Sequence, residues 1–149
     1  FMTASELTAG DRFCWADHAW MSLGVREDGA IRAILLDPIE GVSIAQRRAQ
    51  AWLQKYFVPA LYPYIKDIKP VRLPEGGRAY VSLPPIDAVV SAARLFVPPW
   101  GMVMSCTSRH GKPVVYDGST RQMLTAAETL EFRVQPVVVL VPGAEIERQ

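Results

Sequence analysis

Glu27-Asp28-Gly29 separates two runs rich in aromatic, β-branched and aliphatic residues, and this stretch constrains the fold more than any other. Trp15, Trp20, Met21, Leu23 and Val25 lead into it, and Ile31, Ala33, Ile34, Leu35 and Leu36 lead away. Gly after Asp accepts the positive φ that a tight turn between twisted strands requires, so the segment predicts a β-hairpin. Asp37-Pro38 closes its second strand. The far end of the chain carries a second β signature. Phe132 to Val141 reads as one strand, and its continuous apolar half from Val137 to Val141 has the composition of a central strand covered on both faces. Pro136 must then lie where no ladder N–H is needed.

Two helical patterns lie between these ends. Ser43 and Gln46 read as an S-x-x-Q capping box, after which Ala45, Ala49, Trp52, Leu53 and Tyr56 recur as one apolar stripe. Arg47, Arg48 and Lys55 fall mostly on the opposite face, where three cations read as a solvated surface and not as a phosphate site. The predicted helix covers about residues 43–58. Pro59 ends it, and Pro63 prevents Tyr62 from continuing it. Residues 64–81 read as an extended connection, with a turn at Glu75-Gly76-Gly77 and a short strand at Ala79-Tyr80-Val81. Pro84-Pro85 suits the first turn of a second helix, about 84–96, with Ile86, Val89, Val90 and Ala93 on its apolar face and Pro98-Pro99 at its end. Trp100–Met104 and Pro113–Tyr116 are strands flanking a polar loop, and Asp117-Gly118 is a turn. Strand pairs at both ends with two helices between them predict a single α+β domain over residues 1–149, with a core at about 11–142 and the terminal strands meeting in one sheet.

Half of the 149 residues are hydrophobic and the formal net charge is +1. That balance describes a globular chain with a sizeable core and no overall field to recruit nucleic acid or acidic lipid. No apolar run approaches the ~20 residues of a spanning helix, and Phe1 to Glu6 lacks the basic start and apolar stretch of a secretory signal. The expectation is a cytoplasmic or virion-associated protein. Cys14 and Cys106 are the only cysteines. They lack the spacing of a zinc site and read as reduced, buried thiols.

The order of features resembles that of an uncharacterised bacterial and phage domain of the C-type-lectin-like fold group. The resemblance rests on a tryptophan-bearing hairpin, a helix with Trp52-Leu53 and Tyr56-Phe57, and "YVSLPPIDAV" before the second helix. Trp100 with a Ser-containing strand and the closing "RVQPVVVLV" complete it. It spans about residues 11–142. The fold is shared with phage tropism determinants and formylglycine-generating enzymes, which implies an antiparallel α+β architecture and a phage or prophage setting. Two positions depart from the pattern, Met104 before Ser105 and Gln135 before Pro136, where the family carries arginine. Arg109 and Arg133 are the candidates to replace them.

The polar stretch Ser105-Cys106-Thr107-Ser108-Arg109-His110 raises the question of chemistry. Ser105, Cys106 and Ser108 are candidate nucleophiles, His110 and His18 candidate bases, and Asp17 and Asp117 candidate orienting groups. Such residues rarely converge when they are close in sequence on an extended segment, and neither a G-x-S-x-G elbow nor a papain-type cysteine context accompanies them. Formylglycine-type copper chemistry would need Cys14 and Cys106 to converge. A metal site from both histidines with Asp17 and Asp117 is formally available. The lectin-like resemblance implies a different use, because the late irregular segments of that fold form its ligand-facing surface. No cluster of Glu, Asn and Asp supports calcium-dependent sugar binding here. The expectation is therefore a non-enzymatic module without cofactor or metal, recognising a protein partner or a second copy of itself. Its binding residues are Trp100, Ser105, Ser108, Arg109, His110, Tyr116 and Arg121. The alternative is a small metal- or thiol-dependent enzyme using Cys106 and His110 with Cys14 or Asp117.

Overall fold

The computed structural model describes residues Phe1–Gln149 and is an α+β fold of mostly antiparallel sheets with two α-helices. Strands β1 (Met2–Thr3), β2 (Arg12–Trp15), β3 (His18–Val25), β4 (Ile31–Leu35) and β5 (Ser43–Ala45) precede helix α1 (Gln46–Trp52). Strands β6 (Val71–Arg72) and β7 (Arg78–Ala79) precede helix α2 (Ile86–Ala93). Then come β8 (Met102–Arg109), β9 (Lys112–Asp117), β10 (Gln122–Thr125), β11 (Glu131–Arg133), β12 (Val137–Leu140) and β13 (Glu145–Arg148). The main sheet has the order β1-β13-β2-β3-β4-β12, so the closing strand joins the opening hairpin in one sheet as expected, through β12 and β4, while the β1–β13 pair is formed by end residues that carried no strand signal. The buried core reaches past residues 11–142 at both ends, to Ala4, Leu7, Ala144 and Ile146.

The Asp28-Gly29 hairpin forms as expected between β3 and β4, with the Asp28 carboxylate accepting from the Ala30 N–H at 3.1 Å. Its first arm is not one strand. Ala16 and Asp17 both adopt positive φ, 52° and 63°, and turn the chain between β2 and β3. No glycine marks this turn, so the sequence conceals it; Asp tolerates the left-handed region and Ala adopts it at a cost of roughly 1 kcal/mol.

The first helix departs further from expectation. Ser43 lies in β5, paired with β11, and α1 begins only after Ala45, so Ser43 and Gln46 form no capping box. Pro59 does not stop the helical run. A π-type segment, Leu53–Phe57, passes into a 3₁₀ run, Val58–Asp67, that accommodates Pro63. In this run the buried line is Ala45, Ala49, Leu53 and Phe57, while Trp52 is half-buried and Tyr56 exposed. Helix α2 follows its expected face more closely, burying Ile86, Val89, Ala92 and Ala93. It is shorter than 84–96, and Val90 is only half-buried.

The closing strand is split into β11 and β12 at Val134-Gln135-Pro136. Pro136 has no N–H to offer, and the buried Gln135 side chain substitutes by donating to Leu35 O and Leu36 O at 3.2 and 3.3 Å. Gln135 thereby makes its own tie to the main sheet. Arg133 and Arg109 are exposed and form no salt bridge. All four residues of β12 are buried, but β12 is the outer strand of the sheet and not a central one. Bridges from Ile68 to Leu140 and from Ser82 to Val137 close its free edge.

The sheet is covered on both faces. Ile31, Ala33, Leu35, Val138 and Leu140 pack with Ala49, Leu53 and Phe57 on one side. Met21, Leu23, Ile34 and Val137 pack with α2 on the other. The small β8-β9-β10 sheet feeds both clusters, giving Met104 and Val115 to the first and Val103, Val114 and Tyr116 to the second.

Candidate functional site

Residues 105–110 are not a polar loop. They continue β8 into a hairpin whose connection to β9 is only His110-Gly111, with φ of 52° and 75°. Consecutive positive φ angles at these two positions are the geometry a two-residue hairpin demands, and Gly111 carries the second at no steric cost. The other end of the hairpin is equally constrained. A Cβ on Gly118 would sit 2.0 Å from the Trp100 carbonyl oxygen, so only glycine allows Trp100 and Gly118 to approach. The turn expected at Asp117-Gly118 is present, held by the Asp117 carboxylate accepting from the Ser119 N–H and hydroxyl at 2.9 and 2.7 Å. Those bonds hold the Asp117 carboxyl below its usual range.

Within β8 the register slips between Met104, which faces Val115, and Ser108, which faces Pro113. The extra residues form a bulge, a device that re-aims side chains next to many binding sites. Four of the backbone groups it frees are caught. Cys106 N–H donates to Pro84 O at 3.0 Å, and Thr107 N–H donates to Ser105 Oγ at 3.1 Å. Ser105 Oγ in turn donates to Val114 O at 2.6 Å. Gln46 Nε2, from the start of α1, donates to Ser105 O and Thr107 O at 2.7 and 2.8 Å. Ser108 Oγ donates to Gln46 Oε1, and Thr107 Oγ1 accepts from Ile86 N–H at the start of α2. Both helices thus anchor the root of the hairpin.

The expected binding residues divide into two groups. Ser105, Trp100 and Tyr116 are buried, at 0, 6 and 3% exposure, and form the base of the hairpin and not its surface. The Trp100 indole Nε1 has no hydrogen-bond partner. Ser108, Arg109, His110 and Arg121 are exposed. Arg121 follows the Asp117 turn at the end of β9 opposite to Arg109 and His110, some five strand residues or roughly 17 Å away. Edge strand β10, exposed along its whole length, runs between these two ends and presents Met123 and Leu124. The sequence signals for β10 were weak, since Gln122-Met123-Leu124-Thr125 lacks β-branched residues until its last position.

The residues of the catalytic alternative lie apart. His110 sits in the turn before β9 and Asp117 at the far end of that strand. Cys14 is in the main sheet, opposite Ala19 and Glu147, and lines a different cavity from Cys106. Both thiols are free, and burial pushes the Cys106 thiol above its usual range. His18 packs against the Trp20 and Phe57 rings. No three His, Cys, Asp or Glu side chains converge as a metal site would require.

A groove runs from the hairpin tip along the bulge, lined by Gln46, Arg47, Gln50, Cys106, Ser108 and Gly111. Past Cys106 it meets a second cavity at the β6–β7 hairpin. No helix in the protein is long and apolar enough to cross a membrane. Comparison with protein-family models, with curated proteins and with solved structures gives no match to this chain.

Proposed function

We propose that this chain is a non-enzymatic recognition module that engages a protein partner through the exposed end of the β8–β9 hairpin and the adjoining edge of β10. One observation carries the reading. The bulge behind the hairpin tip is fixed by part-buried hydrogen bonds to both helices, while the tip holds out Arg109, His110 and Lys112 beside a Ser108 bonded to Gln46. Neither Arg109 nor Lys112 has a carboxylate partner within the chain. A rigid platform with an exposed basic tip, its cations outside ion-pair distance of any carboxylate, loses little entropy on binding and suits an acidic partner surface. The open edge of β10 adds unpaired backbone groups beside Met123 and Leu124, which a partner strand or loop can cover. The reading extends to the C-type-lectin-like group, supported by paired terminal strands and by a late hairpin that follows two helices.

The test compares wild type with an Arg109→Ala/His110→Ala double variant in affinity capture from the native host, with the bound partner then titrated in purified form. Because both side chains are exposed, unfolding free energy should stay within about 0.5 kcal/mol of wild type. Affinity for the partner should fall by at least about tenfold if the tip is a hot spot. Equal affinity of both proteins for the same partner would move the interface elsewhere and sink the proposal.

A further inference from the structure

The cavity beyond Cys106 has a volume of about 540 Å³, within the range of small-molecule sites. Its charge is one-sided. Arg26, Arg32, Lys69, Arg72 and Arg78 line it. One carboxylate, Asp28, pairs with both Arg26 and Lys69, which leaves the guanidinium groups of Arg32, Arg72 and Arg78 without an ion-pair partner. Glu75, in the turn between β6 and β7, makes no salt bridge with the flanking arginines and lines the neighbouring groove.

Two features of this cluster disfavour the empty state. Arg72 and Arg78 stand directly opposite each other in the β6–β7 ladder, where like charges repel. Arg32 is half-buried in β4, with Gly24 opposite on one side and Val139 on the other. Its guanidinium has no hydrogen bond to any protein group, and burial followed by repulsion from Arg26 pushes it below its usual range. An arginine held this way keeps its charge, and the carboxylate that offsets it, Asp28, is already paired with Arg26 and Lys69. A bidentate oxyanion supplies the planar acceptor pair that a guanidinium fork fits. The remaining wall is mostly apolar, with Val71, Leu73, Val137 and Val139 beside Ser82, Thr107 and Cys106, and it has no aromatic ring on which a base could stack.

We propose that this cavity binds a small aliphatic anion bearing two or more negative charges, a phosphate ester or polycarboxylate, between Arg32, Arg72 and Arg78. Arg26 and Lys69, already bridged by Asp28, form the cationic rim. Thr107 is engaged with the start of α2, so its hydroxyl braces the cavity wall. The site does not depend on the hairpin tip and stands whether or not the tip binds a protein.

Calorimetric titration of the whole chain in low-chloride buffer tests it, with inorganic phosphate, pyrophosphate and citrate as probes and a phosphoserine peptide as a separate arm. Pyrophosphate or citrate should bind saturably with one-to-one stoichiometry and more tightly than inorganic phosphate. Arg72 and Arg78 are exposed, so an Arg72→Gln/Arg78→Gln variant should keep its fold and weaken binding by at least about tenfold, as loss of charge-assisted hydrogen bonds does. Arg32→Gln should weaken it further, and the exposed double variant decides the matter if Arg32→Gln fails to fold. The Arg109→Ala/His110→Ala variant should bind the anions as wild type does, which separates this site from the partner surface. Absence of saturable binding by all three free anions, or equal binding by wild type and the Arg72/Arg78 variant, overturns the proposal. Binding of the phosphoserine peptide alone overturns it too, and gives these cations to a pendant group on a protein.

Discussion

Gln46 uses its side-chain amide almost completely, donating to Ser105 O and Thr107 O and accepting from Ser108 Oγ. In sequence it looks like half of a capping box with Ser43, because an S-x-x-Q spacing before an apolar run carries that meaning locally. The long-range use of the same amide depends on where β8 lies, sixty residues away in the chain to the nearest ten, and no local pattern encodes it. The expected loop from Ser105 misled for a related reason. Polar side chains suggested exposure, yet Ser105 is buried because its hydroxyl finds Val114 O and Thr107 N–H inside the sheet. Replacing Gln46 with Ala should leave the bulge carbonyls unpartnered and cost about 1–3 kcal/mol. Gln46→Glu should cost more, since a carboxylate cannot donate and would face two carbonyl oxygens. Urea denaturation of the three proteins measures both. An alanine variant within about 0.5 kcal/mol of wild type would show that the bulge is held by Pro84 and Thr107 without Gln46.

At the level of elements, the helical run from Gln46 to Asp67 shows what period alone can and cannot supply. The existence of an apolar stripe was legible, and Ala45, Ala49 and Leu53 are in the interior as expected. Its phase after Leu53 was not, because the wider π-type winding of Leu53–Phe57 brings Phe57 inward in place of Tyr56. Trp52 and Tyr56 instead lie against each other toward solvent, with ring centroids 5.4 Å apart. Pro59 and Pro63 looked like stops, but a 3₁₀ run accommodates both. The order of costs on truncation should therefore invert what side-chain size suggests. Leu53→Ala, at a fully buried position, should cost about 2–5 kcal/mol. Tyr56→Ala should stay within about 0.5 kcal/mol. Trp52→Ala should fall between them, at roughly 1–2 kcal/mol for a half-buried ring. Thermal and chemical melts of the three variants give this order, and a Tyr56→Ala loss as large as that of Leu53→Ala would restore the regular α-helical phase.

For the whole molecule, the meeting of the opening hairpin and the closing strand in one sheet was the most legible feature, since strands toward both termini with helices between them have few places to go, whereas the terminal pairing of β1 with β13 carried no such signal. The outer position of β12 was not legible, because burial on both faces looks the same in sequence whether neighbouring strands or irregular bridges from Ile68 and Ser82 close the edge. The terminal pairing also carries the last prediction. β13 lies between β1 and β2, with Met2 facing Ile146 and Cys14 facing Glu147, so it forms an interior strand of the main sheet and not a trailing edge. Ile146 is 2% exposed and belongs to the same cluster as Ala4, Leu7, Phe13 and Trp15. That cluster continues without a break to Leu53 and Leu140, so a cavity at Ile146 should weaken the whole fold and not only its last strand. Ile146→Ala should cost about 2–5 kcal/mol in global unfolding, keep a single transition, and lower amide protection in β3 and β4 as well as in β13. Loss of protection confined to β1 and β13, with an unchanged melt, would show instead that the terminal strands open as a separate unit while the Asp28-Gly29 hairpin and both helices hold the rest together.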